Sequence, residues 1–185
     1  MVVYTVYALP AIISLPSGIR PGLQELTIDE AVDSLKETGL RDMQLVESAR
    51  KLVAQRMEYC RRNSYDSFDK AFRRGYGFCQ QQAFALASIL QKLGYSASPV
   101  QAYRTQFPDG NIGGHAWVSV HFNGGEYYID PVYYDEENKE FTCIPRSEIT
   151  GFSPFFRLLS GWGAATINAH RYYREPVNDA TVKGL

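Results

Sequence analysis

The sequence lacks an excess of charge of either sign: 19 Lys and Arg stand against 20 Asp and Glu, a formal net charge of −1. Without a basic surplus, binding the phosphates of nucleic acid is not its expected business. It also lacks any apolar run approaching the roughly 20 residues that cross a bilayer, so no membrane partner is expected. Cysteine is scarce, with only Cys60, Cys79 and Cys143, far apart in the chain. Three thiols cannot all pair with one another, which argues against a disulfide framework. Repeats, low-complexity tracts and linkers are missing as well, and nothing marks a second domain. What is present is 185 residues, 45% of them hydrophobic, with 13 Tyr, 10 Phe and 2 Trp. That content rules out disorder and supplies a core without metal or disulfide staples. The expectation is one reduced globular domain over residues 1–185. The oligomeric state is not legible.

The first 16 residues are apolar, but no Lys or Arg precedes Arg20, and Pro10 and Pro16 interrupt them. Val2 to Tyr7, rich in branched and aromatic side chains, reads as a strand rather than a leader. Cytoplasm is the default compartment. Helical signals then dominate the first half. Thr27-Ile-Asp-Glu30 is a capping box and Gly39 the matching stop. Met43, Val46, Ala49, Val53, Met57 and Cys60 form one apolar stripe, which predicts a helix running to Cys60 and a core role for that thiol. Ser67 caps a short helix from Phe68 to Arg74 that Gly75 closes. The next helix opens at Cys79 and ends at Gly94, with Cys79, Ala83, Leu86, Leu90 and Leu93 on one face. Cys79 therefore sits in a first turn, directed at the protein.

Strand chemistry fills the second half. Tyr95 to Tyr103 reads as a strand that Pro99 pushes toward a sheet edge, and Phe107 to Gly114 as a turn-rich loop. From His115 to Phe122 the residues alternate, with Ala116, Val118 and Val120 on one face and His115, Trp117 and His121 on the other. Asn123-Gly124 is a hairpin turn signal, and Glu126 to Pro131 is the return strand. A short strand from Glu140 to Ile144 follows, in which Cys143 shares parity with Phe141. The aromatic tail after Gly151 resists assignment. Asp135-Glu136-Glu137 reads as a solvated turn.

The hairpin register follows from the turn. A two-residue type I′ turn at Asn123-Gly124 pairs residues whose numbers sum to 247, which puts Asp130 opposite Trp117 and diagonal to His115 on one face. A three-residue turn would move Ile129 and Tyr127 onto the polar face, so the hydrophobic pattern disfavours it. A carboxylate is thus expected beside a histidine. A thiol at a helix N-terminus is the natural third member, because the helix end and an imidazolium both favour the thiolate. Histidine then moves the proton, and the carboxylate fixes its tautomer. The backbone N–H of Cys79 is a ready oxyanion donor.

These residues resemble a known family. Gly77-Phe78-Cys79, followed by Ala83-Phe-Ala-Leu86 and Leu93-Gly94-Tyr95, resembles the cysteine motif of the transglutaminase-like superfamily. Gly114-His115-Ala-Trp-Val118 is similar to its histidine strand, and Tyr128-Ile-Asp130-Pro131 to its aspartate strand. The gaps, 36 residues from Cys79 to His115 and 15 from there to Asp130, suit the family too. The resemblance covers about residues 68–132. It implies a papain-like α+β fold, with N-terminal helices and the cysteine helix packed on an antiparallel β-sheet. It also implies Cys79 as nucleophile, His115 as base and Asp130 as orienter, with no cofactor. The chain is too short for the extra β domains and calcium sites of animal transglutaminases. Tyr76 is the candidate for a second oxyanion donor, and Trp117 either walls an acyl pocket or is half-buried core. No His or Cys pair has ligand spacing such as CxxC or HxxxH, so no metal is expected. His170 reads as a surface or packing residue and Cys143 as core. Two functions are consistent with this pattern. One is thiol-dependent acyl transfer on an amide or thioester of a peptide, protein or small acyl substrate. The other is a catalytically silent domain that binds a peptide or protein partner.

Overall fold

The structure is a computed structural model and describes residues 19–60, 66–135, 137 and 140–153. The expected strand at residues 2–7, the tail beyond residue 153 and His170 lie outside the described residues. Helix α1 (Ile28–Glu37) begins at the expected capping box: the Thr27 hydroxyl accepts from the Glu30 N–H, and the Glu30 carboxylate accepts from the Thr27 N–H at 2.7 Å. Helix α2 (Asp42–Arg56) buries Val46, Ala49 and Val53 completely.

Helix α2 stops four residues short of the predicted end. Met57 is extended (φ −101°, ψ 97°), and β1 (Glu58–Tyr59) pairs in parallel with β2 (Tyr76–Gly77). The Cys60 N–H donates to the Gly77 carbonyl at 3.2 Å. A tertiary pairing therefore overrides the apolar periodicity, and half-buried Cys60 leaves the helical stripe on which it was expected. Helix α3 (Phe68–Arg74) lies between these strands, capped by Ser67 and closed by Gly75 at φ 81°. A Cβ at Gly75 would meet Leu23 Cδ2 at 2.4 Å, so both conformation and space demand glycine.

Helix α4 (Cys79–Lys92) is the centre of the molecule. It packs across β3 (Ser96–Gln106) and β4 (Ile112–Phe122) and receives all three earlier helices against its other sides. Ala83, Leu86, Ile89 and Leu90 are fully buried, and each large aliphatic side chain of this kind stabilises the fold by about 1.5–3 kcal/mol. The sheet is antiparallel, with β5 (Gly125–Ile129), β4, β3 and β8 (Ile144–Pro145) in that order, and β9 (Thr150–Gly151) also pairs with β3. Strand β3 is thus interior and not the edge that Pro99 suggested. Pro99 pairs with Val118 of β4, and on its other side it lies one residue past the Val100–Gly151 pair. Its missing N–H falls where the β9 ladder has ended. The predicted strand over Glu140 to Ile144 is broken in two. Glu140–Phe141 (β7) pairs with Tyr134–Asp135 (β6), whereas Ile144 belongs to β8, and Cys143 lies in the break between them. No helix among the described residues is long and apolar enough to cross a membrane.

Candidate active site

Cys79 occupies the first helical position of α4, where a backbone N–H has no intrahelical acceptor. Its approach is fixed by side chains on both sides. Gln81 Oε1 accepts from the Phe78 N–H at 3.2 Å, and Gln81 Nε2 donates to the Asp66 carbonyl at 2.9 Å. Gln82 Nε2 donates to the Gly77 carbonyl at 2.9 Å. A Cβ on Gly77 would come 2.5 Å from Met57 Cε and 3.2 Å from Gln81 Cβ, so glycine lets β2 run this close to the end of α2 without displacing the Met57 side chain. Beneath this segment, buried Arg56 donates to the carbonyls of Phe72, Arg73 and Gln24 at 2.8, 3.0 and 3.1 Å. The Arg74–Asp66 ion pair, also buried, ties α3 to the same region. Sequence reasoning missed these supports. The three consecutive glutamines after Cys79 were the available signal, since buried amides need partners.

The hairpin presents the other two residues. Asn123 and Gly124 have φ of 49° and 77°, the signature of a type I′ turn, and the pairs from Phe122–Gly125 to Val118–Ile129 all sum to 247. Asp130 follows the last pair, is fully buried, and places Oδ2 2.6 Å from His115 Nε2. Its Oδ1 accepts from the Val132 N–H at 2.8 Å, which fixes the carboxylate plane. The Cys79 side chain also acts on His115, favouring the charged imidazole. With Nε2 engaged by Asp130, Nδ1 is the nitrogen left for the thiol. Burial alone would push the imidazole toward its neutral form. The hydrogen bond to Asp130 and the influence of Cys79, with the charges of both, outweigh that and raise the His115 pKa to about 10.

Aromatic rings enclose the imidazole. Phe107 and Tyr133 meet it edge-on, with centroids at 5.6 and 5.2 Å, and Trp117 stacks on it at 5.9 Å. Trp117 is fully buried, against the half-buried alternative, and it packs on Phe141 at 4.9 Å. It backs the histidine. Its Nε1 has no hydrogen-bond partner among the described residues. Tyr76 lies in β2, half-buried and three residues before Cys79. His121 is exposed, near Glu126 at 3.7 Å, and stands apart from this group. Sequence reasoning did not single out Phe107 or Tyr133, although Tyr133 follows Asp130 by three residues in an aromatic run. Burial and the charges of Cys143, Asp109, Asp130 and Cys79 raise the Tyr133 pKa.

Cys143 was expected in the core with no histidine or aspartate motif beside it. It is buried, but its Sγ belongs with His115 and Asp130, the three donor atoms lying within 4.8 Å of one another. Burial, reinforced by the charges of Asp130, Asp109 and Cys79, pushes its thiol up to about 12. Parity along a strand could not reveal this neighbour, because the strand is broken at that point.

A family model described as the transglutaminase-like superfamily matches residues 30–131, more than half of the chain. The chain belongs to the transglutaminase-like superfamily. That superfamily includes transglutaminases and cysteine peptidases, and the α+β architecture above, a cysteine-bearing helix on an antiparallel sheet, is its papain-like fold. No curated protein matches the chain. Among solved structures, it is similar to a crystal structure of a TGase, with 16% identity over 57% of this chain and 30% of the other, at a TM-score of 0.48. It is also similar to the periplasmic domain of TgpA from Pseudomonas aeruginosa bound to ethylmercury, with 22% identity, 69% and 49% coverage, and a TM-score of 0.47. The chain spans less than half the length of either.

Proposed function

We propose that this superfamily member is a thiol-dependent acyl-transfer enzyme acting on amides or thioesters. The observation that supports this reading best is the placement of His115, held 2.6 Å from a fully buried carboxylate and in electrostatic contact with a thiol at a helix N-terminus. In the proposed reaction the Cys79 thiolate attacks the substrate carbonyl carbon. The developing oxyanion is stabilised by the open end of α4, beginning with the Cys79 N–H, and Tyr76 is the proposed side-chain donor. The His115 imidazolium then gives its proton to the leaving amine or thiol, and a Cys79 thioester remains. His115, now neutral, takes a proton from water or an amine as that molecule attacks the thioester. The acyl group leaves with the acceptor, and Cys79 is restored. Asp130 holds the imidazole upright and stabilises its charged form throughout.

The test is to mix the chain with an activated acyl ester and follow intact mass. One acyl adduct on Cys79 is expected, lost on chasing with water for a hydrolase or with a primary amine for a transamidase. Absence of an adduct on the wild-type chain, or an adduct that forms equally on Cys79→Ala, would overturn the proposal.

A further inference from the structure

Cys143 takes no part in the chemistry above, yet it completes a second arrangement of donors. Its Sγ, a ring nitrogen of His115 and a carboxylate oxygen of Asp130 share one small region, all within 4.8 Å and all on buried residues. The three arrive from separate places in the fold: the N-terminal half of β4, the residue after β5, and the break between β7 and β8. Zinc bonds of about 2.0–2.3 Å put the donors of a tetrahedral site roughly 3.3–3.8 Å apart. Seating an ion therefore draws in the wider donor pairs and parts the 2.6 Å His115–Asp130 pair, breaking its hydrogen bond, each by about 1 Å, within reach of side-chain adjustment. One sulfur, one nitrogen and one oxygen is a borderline-soft set. It suits Zn2+ or its analogue Co2+ and disfavours Mg2+ and Ca2+, which prefer all-oxygen shells.

We propose that Cys143, His115 and Asp130 form a binding site for a thiophilic divalent cation of the Zn2+ class. The exchange balances in charge. Two protons leave for solvent, one from the His115 imidazolium and one from the Cys143 thiol, and one divalent cation enters, so the buried cluster keeps its net charge. The ion and the Cys79 thiol compete for the same imidazole. This inference stands apart from acyl transfer, because binding is read without turnover.

The experiment uses the reduced full chain carrying Cys60→Ser, titrated with Zn2+ against a chromogenic zinc chelator. One equivalent is expected to bind. Cys143→Ala should lose affinity by at least about 100-fold and Cys143→Ser by about 10-fold or more, with near-ultraviolet circular dichroism reporting that each stays folded. A second arm needs no change at Cys143. In the Cys60→Ser/Cys79→Ala chain Cys143 is the sole thiol, so a thiolate-to-cobalt charge-transfer band on adding Co2+ must come from it. Lack of stoichiometric Zn2+ binding, equal affinity in folded Cys143→Ala, or absence of that cobalt band would each overturn the proposal.

Discussion

Replacing Asp130 with asparagine keeps the side chain's size and removes its charge, which isolates what the carboxylate does for His115. The imidazole is buried, so desolvation works against its charged form, and it reaches a pKa of about 10 only through Asp130 and Cys79. Relative to an unfolded value of 6.5, that shift of about 3.5 pH units corresponds to roughly 5 kcal/mol at 1.36 kcal/mol per unit. This is the net left after burial has opposed it, and Asp130 shares the raising effect with Cys79. Because the folded pKa lies above the unfolded one, the stabilisation is complete below about pH 6.5 and drains away as pH rises toward 10. The sequence has three histidines, so the imidazole Cε1 resonances in a proton–carbon correlation spectrum can be followed one by one. In the wild-type chain the His115 signal is expected to stay in its charged position from pH 5 to about 8.5. In Asp130→Asn it should titrate roughly 2 units lower or more. Urea midpoints should fall between pH 7 and 10 in the wild type and stay flatter in the variant. A wild-type His115 that titrates near 6.5, or an unmoved titration in Asp130→Asn, would refute the reasoning.

Two further predictions concern the platform beneath Cys79. Arg56→Met leaves the carbonyls of Phe72, Arg73 and Gln24 without their donor, and should cost about 3–5 kcal/mol in urea unfolding. A loss below about 1 kcal/mol would mean that these carbonyls find water instead. Gly77→Ala forces a methyl into the space of Met57 Cε and should destabilise by about 1–3 kcal/mol. Because the clash is with the end of a flexible side chain, Gly77→Ala/Met57→Ala should lose less stability than the sum of the two separate losses. Additive behaviour in that cycle would sink the idea that these two residues are in contact.

What the sequence made legible is local. The capping box at Thr27, the Ser67-to-Gly75 helix and the start of α4 at Cys79 depend on residues within a few positions of one another. The hairpin belongs with them: its turn residues dictate φ, the turn dictates the register, and the register sets Asp130 beside His115. The misreadings come from contacts that no local pattern encodes. The stripe through Met57 and Cys60 has helical spacing, but the pull of β2 on Glu58–Tyr59 wins. Pro99 looked like an edge marker, and the short β9 ladder stops just before it matters. Cys143 reaches the imidazole because the chain crosses from the β6–β7 pair back to β3 at that point, a route set by tertiary packing.

The central claim is that Cys79 is chemically different from the other two thiols because His115 makes it so. Alkylation with limiting iodoacetamide at pH 6, read by peptide mass, tests this most directly. Cys143, buried and with its pKa pushed up to about 12, should stay unlabelled, and half-buried Cys60 should react slowly. The account predicts that Cys79 is alkylated first and that His115→Ala abolishes the preference. Labelling of all three thiols at similar rates, or a preference for Cys79 that survives His115→Ala, would contradict it.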